Sequence, residues 1–268
     1  MLHFQFLQYY PTEVGELPYN GFTPEEMPDH AWFNFWAMRQ YPDLTNEEMG
    51  IPNLGDPNVT FPDWKVMEER RAYYASLSYA DQQLGRVLNE LEDLGLAEST
   101  IVVFWGDHGY QLGEHTEWMK TTNFEIANWV PLMLRVPGST KEGSSTDELV
   151  EMVDLFPTLV DAAGLPPLNL CSEKDSTRTR LCTEGASMMP LVEESGEWRD
   201  AAFWQYRGKG GGYGGNPTVI PTTMGYTVRF NIRKGITTNS NSNSNSRTRR
   251  YSYTEWVYIE VLDEEVGP

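Results

Sequence analysis

Ser99-Thr100-Ile101-Val102-Val103-Phe104-Trp105-Gly106-Asp107-His108-Gly109 is the stretch whose reading decides the fold. The apolar run 101–105, closed by glycine, predicts a buried strand. Open α/β sheets carry their ligand and metal sites just beyond the carboxyl ends of strands. An Asp-His pair emerging there can turn a carboxylate and an imidazole into one crevice, and the flanking glycines let backbone and ligand approach closely. Lys120, further along the chain, adds a mobile cation suited to an anionic group. Metal and ammonium beside one crevice suggest chemistry on a phosphate or sulfate ester.

Working outward, Tyr73, Leu77, Leu84, Val87, Leu88 and Leu91 recur at helical spacing between polar residues. They predict an amphipathic helix over 62–94 that ends near Gly95. Helix, strand and site in that order form half of a βαβ unit, which predicts a parallel sheet. A second apolar run, 130–136, reads as another strand. Residues 149–159 read as a helix interrupted at Pro157, with Gly164 as the cap that ends it. Residues 1–62 are rich in proline, acidic and aromatic residues with little periodicity. Within them Thr23-Pro24-Glu25-Glu26 has the form of a capping box and predicts a short helix. Beyond about residue 195 the aromatic runs 202–206, 226–230 and 251–261 predict a small antiparallel sheet. The Gly-rich stretch 208–215 and the Asn-Ser repeat 239–246 between them read as mobile. The division expected is 1–194 as an α/β part and 195–268 as a small C-terminal subdomain.

Composition bounds the function. The net charge of −19 excludes a nucleic-acid binder, which needs a basic face for phosphate contacts. Any anion site must then be a local positive patch. No stretch approaches the roughly 20 apolar residues that span a bilayer, and the first residues do not have the form of a signal peptide. On that reading the protein is cytosolic or the chain lacks its true beginning. The only two cysteines, Cys171 and Cys182, flank a polar loop. They are either a disulfide that closes it, which indicates an oxidising compartment, or two separate thiols. Asn58-Val59-Thr60 is a glycosylation sequon.

Asp107 and His108 are plausible ligands for a divalent ion. They also suit a capping carboxylate and a hydrogen-bonded imidazole at a strand end. Calcium prefers oxygen donors, so a histidine ligand is unusual for it. Tyr110 and Trp118 could wall a ring-shaped substrate or simply pack, and Trp32 and Trp36, before Arg39, share that ambiguity. Glu114, His115 and Glu117 read as solvated loop residues.

Several segments together resemble the type I sulfatase family. They are 99–115, Glu117-Trp118-Met119-Lys120 with Asn123-Phe124, Val130-Pro131-Leu132, Val153-Asp154-Leu155-Phe156-Pro157-Thr158-Leu159 and Ala163-Gly164-Leu165-Pro166. Met224-Gly225-Tyr226-Thr227-Val228-Arg229 and Tyr251-Ser252-Tyr253-Thr254-Glu255-Trp256 continue the likeness, and Trp32, Trp36 and Arg39 match it more loosely. The resemblance implies part of an alkaline-phosphatase-like sheet flanked by helices, followed by the small antiparallel subdomain. It also implies a calcium-dependent hydrolase of sulfate esters on glycosaminoglycan sugars such as heparan and dermatan sulfate, in the lysosome or secretory pathway. In such enzymes a cysteine converted to formylglycine supplies the nucleophile. The positions matching Asp107 and His108 ligate calcium, the position matching Lys120 contacts the sulfate, and Cys171–Cys182 would be a disulfide.

The chain departs from the family in lacking the nucleophile motif Cys-x-Pro-Ser-Arg and the paired aspartates that open the metal site. It is therefore expected to be the C-terminal half of such an enzyme and inactive alone. The alternatives are a non-catalytic relative that binds sulfated glycans and, ranked last, a two-metal phosphodiesterase or phosphatase. A sheet without its first strands is further expected to leave an open edge and poor solubility.

Overall fold

A single 31-residue helix, α2 (Asp63–Asp93), organises the chain. It forms over the stretch of period-3.6 spacing, and Gly95, at φ +68°, ends it as the sequence predicts. The computed structural model describes residues 4–11, 16–28, 31, 60–171, 182–208, 223–232 and 249–258. Trp32, Trp36, Arg39 and Asn58 lie outside the described residues, as do the repeat 239–246 and all of the Gly-rich stretch after Gly208.

The first half of α2 is held on two sides. The short helix α1 (Phe4–Leu7) lies against it, and Arg71 donates to the carbonyls of Leu7 and Tyr10. Tyr10 Oη and Ser78 Oγ are 2.5 Å apart. On the other side sits a small core of Phe61, Val66, Leu112 and Trp118, with Tyr110 and Met119 packed at its edge. Lys65 is buried beside Glu68 and Glu69 (2.7 and 2.9 Å). Burial alone would lower its pKa, but the bonds and charges of the two carboxylates outweigh that and raise it.

After α2 the chain forms β1 (Val102–Trp105), which is the strand expected from the apolar run. Its neighbour corrects the βαβ expectation. Among the described residues β1 pairs only with β4 (Leu132–Arg135), antiparallel, from Val102 opposite Arg135 to Trp105 opposite Leu132. The intervening chain is too compact for a crossover. It folds into the two-residue strands β2 (Gln111–Leu112) and β3 (Trp118–Met119), which pair antiparallel, and the single turn of helix α3 (Glu125–Asn128).

The expected helix over 149–159 is displaced. A 3-10 turn at Met152–Asp154 leads into α4 (Leu155–Ala162). Pro157 does not interrupt α4, because it sits in the first turn, where a missing N–H costs nothing. The capping is done upstream by a reciprocal pair: Glu151 N donates to Asp154 Oδ2, and the Glu151 side chain accepts in return. The expected capping box at Thr23 fails. No helix forms there, Glu26 takes φ 58°, and the Thr23 hydroxyl pairs with Thr116 Oγ1 (3.2 Å) instead of capping.

Beyond α5 (Met189–Val192), three strands form the predicted antiparallel sheet, in the order β5 (Ala201–Arg207), β6 (Thr223–Ile232), β7 (Arg249–Tyr258). The start of β5 is tied to the foot of α4. Arg199 pairs with both Glu151 and the fully buried Asp154, and Phe203 N donates to Glu151 Oε1 at 3.0 Å. Cys171 and Cys182 form a disulfide with Cα atoms 4.9 Å apart, which settles the reading the sequence left open.

Candidate functional site

Asp107 and His108 leave the end of β1, as the sequence predicts, and Lys120 follows β3. The structure brings the three together. Lys120 Nζ lies against His108 Nε2, and Asp107 Oδ2 is 3.4 Å from the same nitrogen. The Asp107 carboxylate is 82% exposed and the His108 ring 32%, so the cluster opens to solvent. His108 Nδ1 lies 2.9 Å from the Gly109 carbonyl, which can only accept. The proton therefore sits on Nδ1 and the lone pair on Nε2, where it meets a cation.

That arrangement suits a divalent ion. One carboxylate and one outward imidazole lone pair are the right donors, and the Lys120 ammonium already occupies a cation's position against Nε2. Two residues are too few for calcium, which takes six to eight ligands. Among the described residues no group of three or more His, Cys, Asp and Glu side chains could hold a metal.

The loop 109–120 returns to the strand end because of how its polar residues are held. Glu114, His115 and Glu117, expected in solvent, are drawn inside. Glu114 accepts from Arg70 Nη1 (2.9 Å) and from Leu112 N (2.6 Å), with both side chains of the ion pair less than 15% exposed. Glu117 is buried. The His115 ring stacks on Phe124 (centroids 4.1 Å apart), its Nε2 meets Asn20 Nδ2 at 2.9 Å, and its backbone N–H donates to Asn20 O. Burial lowers the pKa of His115, against an opposing pull from Glu114. Gly113, at φ 99°, and three non-glycine residues (His115, Thr116 and Met119, φ 57–72°) take left-handed backbone to make this turn. Such strain persists only where surrounding contacts over-determine it.

Trp118 is 3% exposed and packs edge-on against Phe61, so its ring faces the core rather than the opening. Tyr110 stacks on Tyr73, at the rim of the same core. Arg70 and Asn20, which hold the loop, carry no motif that marks them. Only the helical spacing of Arg70 on α2 hints that it faces the loop.

The comparisons with known proteins identify the family. The sulfatase family profile matches residues 12–165. Iduronate 2-sulfatase of Mus musculus is 36% identical over 213 residues, covering 70% of this chain and 38% of that enzyme. The Homo sapiens iduronate 2-sulfatase is 35% identical over 209 residues, covering 69% and 37%. The chain thus spans less than half the length of these curated relatives. Among solved structures, the phosphonate monoester hydrolase SpPMH from Silicibacter pomeroyi superposes with a TM-score of 0.53 at 25% identity, covering 65% of this chain and 33% of that one. The expected alkaline-phosphatase-like fold is the fold found, and the chain belongs to the sulfatase family.

Proposed function

We propose that this chain carries the metal- and sulfate-binding half of a sulfuric ester hydrolase. It acts on sulfated glycosaminoglycan sugars, as the name of its iduronate 2-sulfatase relatives suggests. The observation that carries the reading is the meeting of Asp107, His108 and Lys120 at one exposed point. In a chain of net charge −19, a divalent ion held by Asp107 and His108 would join the Lys120 ammonium to make the local positive patch an anionic ester needs.

Asp107, through its carboxylate, and His108, through Nε2, would hold calcium together with ligands from outside the described residues. When bound, the ion polarises a sulfate oxygen as a Lewis acid. The Gly109 carbonyl holds the His108 tautomer by accepting a hydrogen bond from Nδ1–H. Lys120 Nζ swings from His108 to a sulfate oxygen and stabilises the negative charge that develops as the ester bond breaks. Tyr110, at the rim, borders the sugar. Trp118 serves the site by fixing the loop that presents Lys120. The nucleophile comes from neither cysteine, because both are spent in the disulfide. The bridge also fits the oxidising lysosomal or secretory route, and among the described residues no helix is long and apolar enough to cross a membrane.

The 268-residue chain alone is therefore expected not to turn over 4-nitrophenyl sulfate. Turnover above an Asp107→Ala control would overturn that. Joined to the formylglycine-bearing segment of a sulfatase, the chain should hydrolyse the ester, and Lys120→Ala should lower the rate by about 10²–10³-fold. Unchanged turnover in that variant removes the role of Lys120. The bridged cysteines also favour a second reading, a non-catalytic protein that binds sulfated glycans. Heparan sulfate binding by the chain, with no hydrolysis by the joined protein, would select it.

A further inference from the structure

The two halves of the site reach it on separate pieces of chain, Asp107-His108 from β1 and Lys120 from β3. The segment 122–128 touches both pieces. One side of that segment grips the site. Gly109 N donates to Ala127 O at 2.8 Å, and a Cβ at Gly109 would lie 2.0 Å from Ile126 O. Thr122 N donates to Lys120 O at 2.9 Å, and Asn128 Nδ2 closes the turn on the carbonyls of Phe124 (2.9 Å) and Thr122 (3.3 Å).

The other side of the segment is gripped by the C-terminal sheet. Asn123 is buried, and its Nδ2 donates to Gly225 O (3.2 Å) and Tyr206 O (3.3 Å). Those two residues are cross-strand partners of β5 and β6, so one amide clasps both strands. Trp204 Nε1 donates to Asn123 O at 3.0 Å, and Arg229 of β6 forms an ion pair with Glu125. Gly225 is required at the contact, since a Cβ there would stand 2.2 Å from Asn123 Nδ2. These holds on the segment from β5 and β6 fall on residues 123–125, between Lys120 and the Gly109 contact.

We propose that Asn123 and the Glu125–Arg229 ion pair are positioning residues through which the C-terminal sheet sets the separation of Lys120 from the Asp107-His108 pair, and with it the fit of a sulfate. The inference rests on the oxyanion site proposed above and adds to it that the small sheet is part of the site's support. Arg229→Glu places like charges together across the contact. It should raise deuterium exchange of the amides in 106–112 and 118–128, leave exchange in the first half of α2 unchanged, and weaken binding of inorganic sulfate about tenfold. Glu125→Arg combined with Arg229→Glu restores the pair in reverse and should recover both readouts. Asn123→Asp, which removes the donor and keeps the shape, should act like the single swap.

Exchange over 106–112 that is unchanged in both Arg229→Glu and Asn123→Asp overturns the proposal. So does failure of the double swap to recover while α2 stays protected. If exchange responds as expected but sulfate binding is insensitive to Lys120→Ala, the positioning stands and the oxyanion reading falls.

Discussion

The two halves of α2 carry apolar residues at the same spacing and are covered to different degrees, although Trp64 and Leu77 of the first half also stay exposed. Over the first half the helix buries Lys65, Val66 and Ala75, docks α1 and anchors the site loop through Arg70. Over the second half Val87 is 66% exposed, and Leu84, Leu88 and Leu91 line an open groove of about 600 Å³ against Val103, Phe104 and Met133 of the β1–β4 pair. Amphipathic periodicity tells which face of a helix is built for burial; it does not tell what covers that face. The covered half is where the loop of the candidate site is held, so the comparison locates the rigid part of the molecule.

The comparison breaks if the covered half is not the stable one. Trp118→Ala removes the largest ring of the small core, from the strand that leads to Lys120. A truncation of this kind costs about 3–5 kcal/mol. Urea denaturation should show that loss as a lower midpoint with an unchanged slope. Arg70→Met is the next largest effect, at about 3 kcal/mol, because it leaves the Glu114 carboxylate enclosed without its cation. Glu114→Gln in the same background should recover part of it.

These residues show where sequence reading succeeds. The strand, the period of α2, the Gly95 and Gly164 stops and the antiparallel C-terminal sheet are local properties, written in runs, spacing and glycines. The fates of Thr23, Glu114, His115 and Glu117 are not local. Thr23 has every feature of a helix cap, yet its hydroxyl is taken by Thr116 far along the chain. Glu114 and His115 are polar residues in a Gly-flanked loop, indistinguishable in sequence from solvated ones. Only the arrival of Arg70, Asn20 and Phe124 makes burial tolerable. The roles of Asp107, His108 and Lys120 were suggested by residue type, but their convergence depends on those distant anchors.

His115 offers a smaller effect that sharpens the same contrast. Its folded-state pKa lies below the ordinary value of 6.5, chiefly from burial, so the unfolded chain takes up its proton first as pH falls. Stability is unaffected by this group above 6.5, declines as pH drops from there to the lowered value, and then levels. Asn20 and Phe124 face the ring without charge, and Glu114 is the acidic group that opposes the shift. The wild-type chain should lose more stability between pH 7 and pH 5 than His115→Gln, measured by urea midpoints. Equal losses would mean that the ring is not enclosed and that the covered half is looser than its contacts imply.

The smallest effect on stability belongs to the bare half, and there the readout changes. Val87→Gln with Leu88→Gln alters residues that already touch water, so each should move the unfolding free energy by no more than about 0.5 kcal/mol. What should change is association. An exposed apolar groove beside a ribbon that has two strands among the described residues is a surface on which copies of the chain collect. The double variant should stay monodisperse in light scattering at concentrations where the wild-type chain aggregates. A loss of several kcal/mol instead would mean that Val87 and Leu88 are buried in solution. A monodisperse wild-type chain would mean that the groove is covered. Either result would erase the difference between the halves of α2 and move the boundary of the rigid core past Val87.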